Sequence, residues 1–218
     1  MTKMILRFYQ VVRNKGFFKA LRITGKYIFA RALLTYYRLR AKDGFVLKKI
    51  LGNKMYLDVS DVGLSRELLL NGVREKMQTE ILQKTVKEGM TIVDAGANLG
   101  YYALLEAAIV GEKGKIYAIE PIPRNFDILN KNIKVNNYEE IVDTFEIAVS
   151  NRSGISKIAV TEASNEASMV TTDQRSESYD DMLGEMTKRE IEIRTITLDE
   201  FLEDARALLP KHEGREEE

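Results

Sequence analysis

An acid, two glycines and an asparagine at alternate positions, Asp94-x-Gly96-x-Asn98-x-Gly100 within TIVDAGANLGYY, are the residues most able to do chemistry in this chain. The apolar run ahead of Asp94 reads as a short buried strand, and the apolar series after Gly100 as a helix. A strand that turns through glycines into a helix presents backbone N–H groups at the helix N-terminus, where a carboxylate or phosphate is held well. Gly96 lets a ligand approach the backbone with no Cβ in the way, and Gly100 lets helix and strand pack closely. Asn98 offers both a donor and an acceptor. A second apolar run, KIYAIEP, ends in Glu120, twenty residues after Gly100. A carboxylate placed there can accept two hydrogen bonds from vicinal ribose hydroxyls.

The leading acid distinguishes this turn from a dinucleotide site, whose pattern is Gly-x-Gly-x-x-Gly, and no Gly-Lys-Ser/Thr follows to make a P-loop. Asp94 would repel a pyrophosphate but suits an ammonium. A ligand that carries a carboxylate, an ammonium and a ribose is S-adenosylmethionine.

The elements that must position these residues follow from periodicity. TIVDAG, a helix over Tyr101–Val110, KIYAIEP, a helix over Phe126–Val135 and VDTFEIAVS form β-α-β-α-β, the first half of a doubly wound sheet. Ahead of it, Phe45–Val59 reads as a hairpin turning at Leu51-Gly52-Asn53-Lys54. Gly63–Glu88 reads as helical, with Gly89 as its C′ residue. Beyond it, ISKIAVTEA (Ile155–Ala163) and Ile191–Ile196 read as strands, a polar loop spans Ser164–Tyr179, and a short helix follows. The expected organisation is a basic amphipathic helical extension over 1–44, a hairpin and helix over 45–90, a core over 91–202 and a charged tail over 203–218.

Composition bounds the rest. The 218 residues are 44% hydrophobic, enough for one real core, and Lys+Arg and Asp+Glu are equal at 33 each, so no global charge favours nucleic acid. There is no Cys, which excludes disulfides and thiolate chemistry. His212 is the only histidine and lies in the charged tail, so no metal site is expected. No stretch reaches the roughly 18 apolar residues of a membrane span, and no secretion signal is evident; a cytoplasmic location is expected. From Lys3 to Lys49 the only acid is Asp43. Ile5, Phe8, Val11 and Val12, then Phe17, Leu21, Tyr27, Ile28, Leu33, Leu34 and Tyr37, keep helical spacing among these bases. Residues 1–42 therefore read either as a helical cap docked on the core or a second subunit, or as a helix in contact with an anionic membrane surface.

VDAGANLGYYALLEA, AIEPIPRNFDILNKNIKVNN, IAVSNRSG and TITLDEFL, in this order and spacing, resemble the FkbM-type family of S-adenosylmethionine-dependent methyltransferases, from about Lys54 to Leu202. The resemblance implies a class I methyltransferase, a Rossmann-like α/β doubly wound sheet, and O-methylation of a hydroxyl on a sugar or small metabolite. By position it implies that Asp94, Gly96, Asn98 and Gly100 hold the methionine moiety and Glu120 the ribose, and that Ala148 lines the adenine pocket. Family members continue after TITLDEFL with a fourth strand bearing an Asp-x-Glu-Gly-x-Glu type motif; HEGREEE, without an apolar strand before it, does not match Glu213 and Gly214 to that motif. The expected sheet is therefore truncated after three core strands, with the edge of the first strand open unless a partner chain or homo-oligomer completes it.

The base that would take the acceptor's proton is not evident. Glu75 and Glu80, in GVREKMQTE, are the acids closest to the cofactor turn, and on a helix they also read as ordinary solvated charges. The Asn/Asp-Pro-Pro-aromatic motif of methyltransferases acting on nucleobase amino groups is absent, so a nucleic acid acceptor is not expected. The alternative to an enzyme is a catalytically incomplete remnant that serves as a cofactor-binding or membrane-surface module.

Overall fold

The computed structural model describes residue 13 and residues 16–160, 167–169 and 189–208. Ile5, Phe8, Val11, Val12, His212, Glu213 and Gly214 lie outside these residues, as does most of the expected polar loop over 164–179.

Helix α1 (Phe17–Arg40) leads by a short connection into the hairpin of β1 (Phe45–Ile50) and β2 (Asn53–Asp58). Phe45 pairs with Asp58 and Ile50 with Asn53. Leu51 and Gly52, at φ of 45° and 99°, make the reversal in two residues, a tighter turn than the four-residue one expected. The helix expected over Gly63–Glu88 is two helices, α2 (Leu64–Asn71) and α3 (Lys76–Thr85). Gly72 enters the left-handed region and donates its N–H to the Leu68 carbonyl at 3.0 Å, which ends α2. Apolar periodicity resumes beyond the break, so the pattern reads as continuous.

The centre is a parallel sheet of order β3-β4-β5, built from β3 (Thr91–Ala95), β4 (Lys115–Ile119) and β5 (Val142–Phe145). The crossovers are α4 (Tyr101–Val110) and α5 (Pro123–Val135). Helix α5 starts three residues earlier than its apolar pattern indicates, because Pro123 suits a first-turn position where no N–H is needed. Strand β4 is buried on both faces: Ile116 and Ala118 join the core with Leu104, Leu129 and the hairpin's Met55 and Leu57, while Tyr117 and Ile119 face the other way. That second face is closed by α6 (Leu198–Leu208), whose Phe201 meets Phe145 edge-on at 5.1 Å and Tyr117 at 6.2 Å between ring centroids.

The third strand does not run on to Ser150 as expected. It stops at Phe145, and the chain turns at Glu146–Ile147 into β6 (Ala148–Val149), part of a second, four-stranded sheet. Its other strands are β7 (Gly154–Val160), β8 (Ala167–Met169) and β9 (Arg189–Ile196), in the order β6-β9-β7-β8, with Ala148 opposite Thr195. Strands β7 and β9 pair antiparallel with each other and do not reach β3. Among the described residues, the outer edge of β3 has no partner strand.

Asparagine amides tie the hairpin to the sheet unit. Asn132 Oδ1 accepts the Tyr56 N–H at 2.6 Å, and its Nδ2 donates to the Leu99 carbonyl at 2.8 Å. One turn on, Asn136 takes the Lys54 N–H at 2.9 Å and donates to the Lys54 carbonyl at 2.7 Å. Two side chains four apart on α5 thus satisfy the edge of β2, much as a neighbouring strand would.

Gly100 separates two kinds of glycine requirement. It sits at φ 89°, and a Cβ there would meet Leu129 Cδ1 at 2.7 Å; the close packing is therefore against α5, not against the strand as expected. Gly96, at φ 85°, would meet nothing within 4 Å. Gly96→Ala should cost about 1 kcal/mol, the conformational term alone, and Gly100→Ala about 3 kcal/mol, because the collision adds to it. Chemical denaturation of both variants checks the order, and Leu129→Val should recover part of the Gly100→Ala loss. Equal losses would place the requirement in φ only.

Candidate cofactor-binding site

Asp94, Gly96, Asn98, Gly100 and Glu120 converge at the C-terminal ends of β3 and β4, the end of an open parallel sheet where ligands bind. Glu120 is the joint between them. It is 3% exposed, its Oε2 accepts the Asn98 N–H at 2.9 Å, and its Oε1 accepts the Ile122 N–H at 2.9 Å and the Asn125 amide at 3.4 Å. Burial raises its pKa, while those three donors and the like charge of Asp94 act in opposite senses upon it. Two backbone amides and one side-chain amide thus hold the carboxylate while leaving acceptor capacity on both oxygens.

The turn itself differs from the expectation of free N–H groups. Gly96 and Ala97 donate to the Ile119 carbonyl at 2.8 and 2.9 Å, Leu99 to Asn98 Oδ1 at 2.7 Å, and Gly100 to the Ala97 carbonyl at 2.8 Å. With Asn98 on Glu120, every N–H from 96 to 100 already has an acceptor. The turn is a self-satisfied loop, and an anionic group is left with the first turn of α4. Asn98, at φ 54°, is one of the few non-glycine residues in the left-handed region, which its short polar side chain tolerates.

Asp94 lies at the end of β3 with its Oδ2 buried and without a hydrogen-bond partner among the described residues. Desolvation raises its pKa to about 6, against the opposing effect of the Ala103 N–H in the first turn of α4. A buried carboxylate oxygen without a donor fits a cationic or amine ligand. The open space where a Gly96 Cβ would stand leaves room for that ligand to approach.

The two acids proposed near the turn separate. Glu75, at φ 41° in the break between α2 and α3, accepts the Tyr102 hydroxyl at 2.8 Å and pairs with Arg74 at 3.2 Å. It stands against the first turn of α4. Glu80 pairs only loosely with Lys76 at 3.8 Å on the exposed side of α3 and is not brought to the site. Ala148, in the second sheet, is carried past the end of β5 rather than forming it.

Several contributors carried no signal in spacing. Arg74 bridges Glu67 and Glu75, and its backbone N–H donates to the Tyr101 hydroxyl at 3.2 Å. Arg124, four residues past Glu120, pairs with buried Asp58 and reaches Ser60. Burial pushes the Asp58 carboxyl up, but hydrogen bonds from Ser60 and Arg124 outweigh it and hold the pKa below the ordinary value. Only the adjacency of Arg74 and Glu75, and the PRN after Glu120, hinted at these contacts.

Glu106 likewise carries no signal in spacing. It sits mid-helix in α4, 7% exposed, with Oε2 buried and unpartnered among the described residues. Desolvation, then repulsion from Asp94, raises its pKa to about 8, so it is protonated at neutral pH. A folded-state pKa above the unfolded one means stability is full at acid pH and is lost as pH rises through about 8. Glu106→Gln should flatten that profile: little change in melting temperature near pH 5 and a gain of about 4 °C or more near pH 8 to 9. Thermal unfolding across this range tests it, and an equal shift at both ends would mean the carboxyl does not ionise against the fold.

A family model described as "Methyltransferase FkbM domain" matches residues 94–208, more than half of the chain, and its first matched residue is Asp94 itself. Protein-L-isoaspartate O-methyltransferase of Methanococcoides burtonii is 32% identical over 84 residues, 37% of this chain and 41% of that protein. Protein-L-isoaspartate O-methyltransferase 1 of Archaeoglobus fulgidus is 33% identical over 57 residues, 26% of each. The solved structure of M. jannaschii TYW2 in complex with AdoMet is 24% identical, covering 48% of this chain and 44% of that one at a TM-score of 0.39. The chain spans less than half the length of the curated relatives it matches. A glycine turn led by an acid, clamped by a carboxylate from the next parallel strand, is thus where the family match begins, and the chain belongs to the methyltransferase FkbM domain family, with a Rossmann-like α/β fold of the class I methyltransferase type.

Proposed function

We propose that this chain binds S-adenosylmethionine at the Asp94–Gly100 turn and serves methyl transfer to a hydroxyl of a sugar or small metabolite. The observation that carries the reading is Asp94 Oδ2, a buried, unpartnered acceptor beside the turn that Glu120 holds in place. In this reading Asp94 accepts from the ligand's ammonium, the first turn of α4 faces its carboxylate, and the free lone pairs of Glu120 take the ribose hydroxyls. Gly96 and Asn98 shape the approach, and Ala148 borders the adenine. S-adenosylmethionine, when bound, supplies an electrophilic methyl group on a sulfonium.

The chain's own task is positioning, which accounts for much of the acceleration of such a displacement. Glu75, fixed by Tyr102 and Arg74, is the acid best placed to accept the acceptor's proton. Glu80 has no part in this reading. The acceptor is taken to be other than nucleic acid, since EPIPRN following β4 is not the Pro-Pro-aromatic arrangement suited to base amino groups. A second reading, cofactor binding without transfer, is favoured by the edge of β3, unpaired among the described residues, where a further strand from a partner chain would complete the sheet.

Calorimetric titration of the chain with S-adenosylmethionine tests the cofactor. Asp94→Asn should weaken binding about tenfold or more by removing the charge that faces the ammonium, and Glu120→Gln likewise by losing acceptor capacity. Unfolding curves for both variants separate a lost contact from a lost fold. No binding by the folded wild-type chain would sink the proposal. Transfer of labelled methyl to a panel of hydroxylated glycans, an isoaspartyl peptide and RNA then assigns the acceptor, and label on RNA or the peptide alone would overturn the hydroxyl assignment.

A further inference from the structure

Helix α1 carries its apolar residues on the wrong side for a helix that serves only as a cap. At about 100° per residue, Phe18, Leu21, Ile28, Phe29, Tyr36 and Leu39 fall within an arc of about 100°, and Gly25 and Ala32 fill the same arc. Leu34, Tyr37 and Ala41, which pack against the core, lie on the opposite side. The stripe therefore points outward along the whole helix: Phe18 is 85% exposed, Phe29 68% and Leu39 82%. An apolar face of this extent on a 24-residue helix is not scattered surface hydrophobicity.

The charges beside the stripe are of one sign. Arg22, Lys26 and Arg40 follow it on one flank and Arg31 on the other, all exposed, and α1 contains no Asp or Glu. Facing a second copy, this surface would bring like-charged flanks together with no acid in either helix to answer them. An anionic lipid surface answers both features, because the apolar stripe enters the boundary between headgroups and acyl chains while the flanking bases meet lipid phosphates. No helix among the described residues is long and apolar enough to cross a membrane.

We infer that α1 docks this protein on an anionic lipid surface, lying in the plane of the interface with Phe18, Phe29 and Leu39 inserted and Arg22, Lys26 and Arg40 on phosphates. None of these residues belongs to the cofactor turn at the C-terminal ends of β3 and β4.

Co-sedimentation of the full chain with phosphatidylcholine vesicles, with and without phosphatidylglycerol, tests this. Binding should need the anionic lipid and fall as salt is raised. The triple variant Phe18→Ser, Phe29→Ser, Leu39→Ser should lose about tenfold or more of that binding through lost apolar insertion, and Arg22→Gln, Lys26→Gln, Arg40→Gln a similar factor through lost charge. All six positions are exposed, so circular dichroism and S-adenosylmethionine titration should be unchanged, whatever the cofactor result for the wild type. Equal or absent binding to both vesicle types overturns the inference. So does a wild-type dimer in size-exclusion chromatography that the serine variant converts to monomer, since a second copy would then cover the stripe.

Discussion

The buried carboxylate of Glu120 is the interaction on which the candidate site depends. It reaches from the end of β4 to the N–H of Asn98 in the neighbouring turn and to the N–H of Ile122 ahead of α5. Both crossovers of the parallel sheet are thereby fixed to one side chain. A buried charge is tolerated only where donors surround it, and the local backbone supplies them here. The left-handed conformation of Asn98 follows from the same constraint, because its amide must turn toward Glu120 for the charge to be satisfied. With its N–H groups consumed in this way, the turn offers shape and a nearby unpartnered acid rather than a nest of donors.

Around this joint, the structure divides polar work from packing. Asn132 and Asn136 provide the polar link, giving β2 the hydrogen bonds that an edge strand lacks, and Asn132 also secures the Leu99 carbonyl at the rim of the turn. Apolar contact closes the two faces of the sheet: α4 and α5 with the hairpin on one, α6 with Phe201 on the other. Near the turn, Asp94 and Glu106 face a different problem, since among the described residues neither has a donor for one of its oxygens. One proton on Glu106 lets the pair persist at neutral pH, and strain of this kind is more typical of ligand sites than of inert cores.

The hairpin runs alongside α5, from Lys54 at Asn136 to Asp58 at Arg124, and α1 packs outside this unit. Leu34 and Tyr37 hold α1 to the core, leaving its other side uncovered. The same helix is thus structural on one face and available on the other. Its lack of acids makes that second face selective in what it can meet.

Sequence alone determined the β-α-β-α-β order, the acid-led glycine turn and the place of Glu120 at the end of the next strand. Each rests on local periodicity or on a separation set by one strand-helix-strand unit, and such short-range signals survive any change in the surroundings. It also held the basic, acid-free character of α1. Only the tertiary structure decided which face of α1 stays exposed, since periodicity marks an apolar stripe without saying what lies against it. The same holds for Glu75 and Glu80: five residues apart in one charged segment, they differ because Tyr102, twenty-seven residues beyond Glu75, reaches back to hold it. The early end of β5 at Phe145 is set by the competing pairing of Ala148 with Thr195 on β9. The burial of Glu106 depends on everything packed around α4. These outcomes turn on partners distant in the chain, and a hydrogen bond or contact across such a distance leaves no local pattern to read.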